Sequence, residues 1–174
     1  MQGDMITKAW NEQKAQVDRN KNDKLDYVLV EGETTHFDAI RRTNGFLESI
    51  QNINMNQLAN ISADWQRTVA YDEFAKMGKD IIENVEAVVC HNDNMALGIY
   101  DYYESNKLSP PLILGINNSL EMNEKIKSGK IYGTVDNDIE EQVTYICKLL
   151  DSILKEQTKD FEIVWYSNPD KYMK

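Results

Sequence analysis

Cysteine, histidine and proline are all scarce in this 174-residue chain, which holds two, two and three of them. Two cysteines cannot make the disulfide framework of a small secreted scaffold. Cys90 sits inside an apolar run and Cys147 on the apolar face of a helical pattern. Both read as buried free thiols, with a disulfide as the lesser alternative. Positive charge is also short: 19 Lys and Arg stand against 29 Asp and Glu, for a net charge of −10. An acidic surface argues against nucleic acid and anionic membranes as partners and is compatible with cations and neutral ligands. No apolar run is long enough to span a bilayer. The opening MQGDMITKAW has neither a basic n-region nor an apolar h-region, so a mature or truncated chain is expected. The pairs His36/Asp38 and His91/Asp93 can be drawn as bases or metal ligands. No Ser or Cys nucleophile motif, glycine-rich phosphate loop or Walker lysine accompanies them, so the chain reads as a non-enzyme.

What is present is an alternation. Short apolar runs at 25–30, 57–62, 87–90, 112–116, 131–135 and 161–166 read as strands. Helical periodicity fills 5–16, 36–50, 66–83, 94–105, 118–127 and 138–156. Strands of four to six residues alternating with longer helices mean βαβ units and a parallel sheet. Continuous rather than alternating apolar strands mean that both sheet faces are covered. The expected fold is α/β: a three-layer, Rossmann-like parallel sheet with helices on both faces.

In such sheets ligands bind beyond the carboxyl ends of the strands. Those ends are polar here: Glu33 to Asp38, Asp64-Trp65, His91-Asn92-Asp93, Asn117-Asn118 and Asp136-Asn137-Asp138. Asp38 and Arg42 are four apart and share a helix face. An Arg fork, carboxylates, amides and an aromatic plate together suit a sugar, whose hydroxyls need paired donors and acceptors and whose ring has an apolar face. Plainer roles exist for each residue. Asp93 reads as a helix N-cap, as does Asp136 or Asn137. Asn117-Asn118 reads as turn chemistry, Trp65 as core and His36 as a surface histidine.

The segment Asp18 to Asp26 places side-chain oxygens at positions 1, 3, 5 and 9 of a calcium-type loop: Asp18, Asn20, Asn22 and Asp26. Lys24 at position 7 has its backbone carbonyl to offer. Position 6 is Asp23 rather than Gly, and position 12 is Leu29, so the bidentate carboxylate has to come from elsewhere. A solvated Asn/Asp loop is the alternative.

The stretches QGDMITKAW, DRNKNDKLD, YVLVEGETTHFDAIRRT, ISADW, VEAVVCHNDNMALG, LILGINN and KSGKIYGTVDND resemble, in order and spacing, the galactose/glucose-binding proteins of ABC transport and chemotaxis. These are type 1 periplasmic binding proteins, and the resemblance runs from Gln2 to about Asp170. It implies a monosaccharide held by His36, Asp38, Arg42, Trp65, Asn92, Asn117 and Asn137, with Trp65 stacked on one sugar face. Asn117 stands where the family usually has Asp. It implies Ca²⁺ bound by Asp18, Asn20, Asn22, the Lys24 carbonyl, Asp26 and Glu86, with Glu86 supplying the missing bidentate carboxylate. It also implies an extracytoplasmic parent, periplasmic or anchored at the cell surface, that delivers sugar to a membrane permease.

The same resemblance divides the chain. Residues 1–136 would be the second, calcium-binding lobe; 137–160 a helix belonging to the first lobe; and 161–174 a trailing strand and hinge segment. Most of the first lobe would then precede Gln2. The apolar stripe Ile139, Val143, Ile146, Leu149, Leu150 and Ile153 is expected to fold back on this lobe or to pair with a second copy. The NDNMALG element is shared with sugar-responsive repressors, so the effector lobe of a transcription regulator is the alternative. That reading has no use for the calcium-type loop and finds no DNA-binding segment.

Overall fold

The computed structural model describes residues 1–155; the strand expected at 161–166 lies outside them. Five strands form one all-parallel sheet: β1 (Leu25–Glu31), β2 (Met55–Ser62), β3 (Ala87–Cys90), β4 (Leu112–Ile116) and β5 (Gly133–Val135), in the order β2-β1-β3-β4-β5. Strand order reverses between β1 and β3. This is the switch point, where the connections on either side leave in opposite directions and open a crevice at the carboxyl ends.

Pleating sorts the core into two halves. Val28, Val30, Val88, Cys90 and Ile113 face one way, under α3 (Arg67–Ala75), α4 (Lys79–Asn84), α5 (Asp93–Ser105) and α6 (Leu120–Lys127). Leu25, Tyr27, Leu29, Ala87, Val89 and Leu114 face the other way, under α1 (Gln2–Val17) and α2 (Phe37–Ser49). The three-layer expectation is met.

Helix α1 begins three residues earlier than expected. The buried Gln2 amide donates to the carbonyls of Cys90 and Gly115, at 2.8 and 3.1 Å, and so pins the helix start to the sheet. The single helix expected over 66–83 is two. Lys76 and Met77 close a turn onto Glu73 and Phe74, and Gly78 takes extended dihedrals as the N-cap of α4. The strand expected at 131–135 is only three residues long.

Two capping assignments shift by one or two positions. Asn92, not Asp93, caps α5, its side chain accepting from the Met95 amide at 2.8 Å. Asp138, not Asp136 or Asn137, caps α7 (Ile139–Leu154). Asp93 is instead a buried clamp, accepting from the Ser119 amide at 2.7 Å and the Thr134 hydroxyl at 2.5 Å.

Cys90 is buried and free as expected, but Cys147 is exposed, because the stripe of α7 does not fold back onto the lobe. Ile139, Val143, Ile146, Leu150 and Ile153 each remain about half exposed. No described helix is long and apolar enough to cross a membrane.

Candidate carbohydrate and cation sites

The crevice is built from strand ends. After β1 the chain turns at Gly32, and His36 caps α2 by accepting the Asp38 amide on Nδ1 at 3.2 Å. In the neutral ring this leaves the Nε2 proton free to donate outward. One turn along α2, Arg42 donates through Nη1 to the His91 carbonyl at the end of β3. Burial lowers the Arg42 pKa and the neighbouring Asp38 carboxylate counters it; an arginine remains charged under that balance.

Trp65 follows β2 in a left-handed turn, with φ of 47° at Asp64 and 66° at Trp65. Its indole meets the His36 imidazole edge-on, with ring centroids 5.5 Å apart, and the Arg42 guanidinium lies 5.4 Å from its centroid. Asn92 donates to the Trp65 carbonyl at 3.1 Å while capping α5, so its amide is engaged at both ends.

These groups converge. His36, Asp38, Arg42, Trp65, Asn92 and Asn117 line one open hollow of about 250 Å³. Asn137 borders the adjoining hollow with Asp38, Arg41, Arg42 and Gln142. It reaches the first set by donating to Asn117 Oδ1 at 3.2 Å, and its own Oδ1 is buried with no partner among the described residues. Asn117 and Asn118 also adopt positive φ, at 130° and 57°. The hollow therefore offers one indole face, a fixed guanidinium, an exposed carboxylate, an imidazole donor and amides at the rim. That set pairs with vicinal hydroxyls around an apolar ring face.

Asp18 to Asp26 forms a curled loop at the opposite ends of the strands. Asp23 takes the left-handed conformation, φ 62°, that position 6 of a calcium-type loop requires. The amides of Asn20 and Asn22 both reach Asp26 Oδ2, at 2.6 and 2.9 Å. Asp18 accepts the amides of Asn22 and Asp23, and the Lys24 amide donates to Asn22 Oδ1. Glu86 accepts from the backbone of Arg19 at 2.6 Å and of Asp26 at 3.0 Å.

Asp26 and Glu86 are both almost fully buried, and neither forms a salt bridge with a Lys or Arg among the described residues. Burial, and to a lesser degree the neighbouring Asp26, raises the Glu86 pKa. No three His, Cys, Asp or Glu side chains among the described residues stand together as a ready ligand set. The remaining oxygens of such a set are amide and backbone ones, and a half-turn of Asn20 and Asn22 about their terminal bonds would present oxygen to Asp26 in place of nitrogen. The residue types suit a hard cation.

Two features escaped sequence reading. One is the placement of the His91 ring, which lies under the rim and bonds to Gly32 and Thr43. The other is Glu31, which accepts from Thr43 and Asn60. The polar pair His91-Asn92 at a strand end was the available signal; the partners of His91 are remote in sequence.

A family model described as a periplasmic binding protein domain matches residues 1–158. The D-galactose/methyl-galactoside binding periplasmic protein of Haemophilus influenzae is 31% identical over 156 residues, covering 88% of this chain and 46% of the relative. The D-allose-binding periplasmic protein of Escherichia coli is 26% identical over 113 residues, covering 62% of this chain and 35% of the relative. The chain thus spans less than half the length of these curated relatives. Among solved structures, an ABC transporter periplasmic solute-binding protein from Actinobacillus succinogenes with bound D-allose superposes with a TM-score of 0.77 at 22% identity, covering 88% of this chain and 54% of that one. At that identity the likeness speaks for the fold alone. With sequence, sheet order and family model in agreement, the chain belongs to the periplasmic binding protein domain family.

Proposed function

We propose that this chain contributes half of a monosaccharide-binding site, in a carrier protein and not an enzyme. The observation that carries the reading is the convergence of His36, Asp38, Arg42, Trp65, Asn92 and Asn117 on one hollow at the switch point of the sheet. Trp65 takes the apolar face of the sugar. Arg42 and His36 donate to hydroxyls, Asp38 accepts, and Asn117 and Asn137 each offer a donor and an acceptor. The likeness to galactose- and allose-binding proteins supports this ligand class. By the same likeness the full carrier is extracytoplasmic and delivers sugar to the permease of an ABC transporter. Where the chain stands alone, α7 pairs with a second copy.

We further propose that Asp18, Asn20, Asn22, the Lys24 carbonyl, Asp26 and Glu86 hold Ca²⁺, which would supply the countercharge that two buried carboxylates need. Its role is structural: it ties the α1–β1 loop to the start of β3.

The test of the sugar reading is a titration with D-galactose, D-glucose and D-allose, followed at the Trp65 indole N–H by NMR. A saturable shift, lost in Arg42→Ala, is expected. Half a site binds weakly, with a dissociation constant of about 1 mM or higher, equivalent to about −4 kcal/mol. No shift with any of the three sugars would sink the reading.

A further inference from the structure

His91 is fully buried beneath the rim and held at both ring nitrogens. Its Nδ1 lies 3.2 Å from the Gly32 amide, where it can only accept. A neutral ring then carries its proton on Nε2. That nitrogen faces the Thr43 hydroxyl at 3.2 Å. The hydroxyl accepts from Nε2 and donates onward to Glu31 Oε1, and Glu31 Oε2 accepts the Asn60 amide at 2.7 Å. The donors run one way, from ring to hydroxyl to carboxylate, and reversing the first link would move the ring proton to Nδ1, where it meets the Gly32 N–H and leaves that contact without an acceptor.

This chain ties together the pieces that carry the hollow. Gly32 opens the loop to His36, and Thr43 follows Arg42 on α2. The His91 carbonyl accepts Arg42 Nη1, while its ring sits 6.1 Å from that of Trp65. Burial is the main reason the imidazole loses its proton readily, its pKa falling to about 4. The Glu31 carboxylate opposes that fall and the Arg42 charge adds to it.

We propose that His91 is a positioning residue of the carbohydrate rim, whose Nε2–H tautomer locks α2 to the ends of β1 and β3 and so fixes the direction of Arg42. The proposal deepens the sugar reading and rests on it.

The test combines ¹⁵N long-range correlation spectra of His91 with a D-galactose titration of the unmodified protein, Thr43→Val, His91→Gln and His91→Asn. Expected at pH 7 is the Nε2–H tautomer in the unmodified protein. Thr43→Val should weaken D-galactose binding by about three- to tenfold, the range of one lost hydrogen bond. His91→Gln, whose amide can still reach Thr43, should bind within about twofold of the unmodified protein, while the shorter His91→Asn should behave like Thr43→Val. An Nδ1–H tautomer, an imidazolium at pH 7, or undiminished binding in Thr43→Val would overturn the proposal. If the unmodified protein fails to bind D-galactose and the other sugars, the carbohydrate reading itself is at fault. The tautomer spectrum then still reports whether the relay exists.

Discussion

Gly32 and Trp65 are in contact to the point of exclusion: a Cβ on Gly32 would lie 2.2 Å from Cε2 of the indole. The absence of a side chain at the end of β1 is therefore what lets the indole lie flat over the switch point. Gly32→Ala is expected to push Trp65 off the hollow and to cost about 1–3 kcal/mol of stability, the usual penalty of overpacking. A shifted Trp65 indole resonance together with lost sugar response would show this. An unchanged resonance would mean that the ring has room the structure does not give it.

Calcium is expected to raise the melting temperature. At a hundredfold excess over its dissociation constant a bound ion adds about 2.7 kcal/mol, or roughly 5–10 °C for a domain of this size. Glu86→Gln should abolish the increment. The comparison needs only melting curves in calcium and in excess chelator, and equal curves would remove the cation from the proposal.

Two buried groups give opposite pH dependences. His91 has a lowered pKa of about 4 in the fold, so between that value and 6.5 the unfolded chain binds more protons and stability rises with pH. Acidification across this window should cost about 3 kcal/mol, and His91→Gln should flatten the slope. Glu86 has a raised pKa, so just above the ordinary carboxylate range the native state binds more protons and chelated protein loses stability as pH rises. A cation needs the carboxylate form. The difference in melting temperature between calcium and chelator should therefore shrink on acidification; a constant difference would exclude Glu86 as a ligand.

The exposed stripe of α7 repeats at spacings of four and three, through Ile139, Val143, Ile146, Leu150 and Ile153. That spacing is a coiled-coil seam. Sedimentation of the 174-residue chain is expected to give a mass above that of one copy, reduced to one copy by Ile146→Asp. A single-copy mass at high concentration would refute pairing.

Much of the architecture was legible because β1, β3 and β4 are short apolar runs buried on both sides, which leaves little choice of element. The break at Gly78 was hidden because Phe74, Met77, Ile81 and Ile82 continue a helical stripe across it; a glycine lowers helix propensity but does not by itself announce a turn. Caps slipped by one or two positions where several capable residues stand in a row, as at Asn92-Asp93 and Asp136-Asn137-Asp138. Only tertiary contacts decide there, and for Asp93 they come from Ser119 and Thr134. The rim residues were legible from strand-end position and family likeness together. The His91 relay was not, since its partners Thr43 and Glu31 are 48 and 60 residues away.

Asp64, Trp65, Asn117, Asn118 and Asp138 all hold left-handed backbone without being glycine, at about 1 kcal/mol or more apiece. Five of the eight non-glycine residues with positive φ among the described residues thus lie at the carboxyl-end rim of the sheet. Laboratory selection for heat resistance alone would find its easiest gains there, by substituting glycine at Asn117 or Asn118. On the proposed sugar reading, Asn117→Gly would gain melting temperature and lose a hydroxyl contact in one step, so a thermally hardened descendant of this chain should be recognisable by its indifference to sugar.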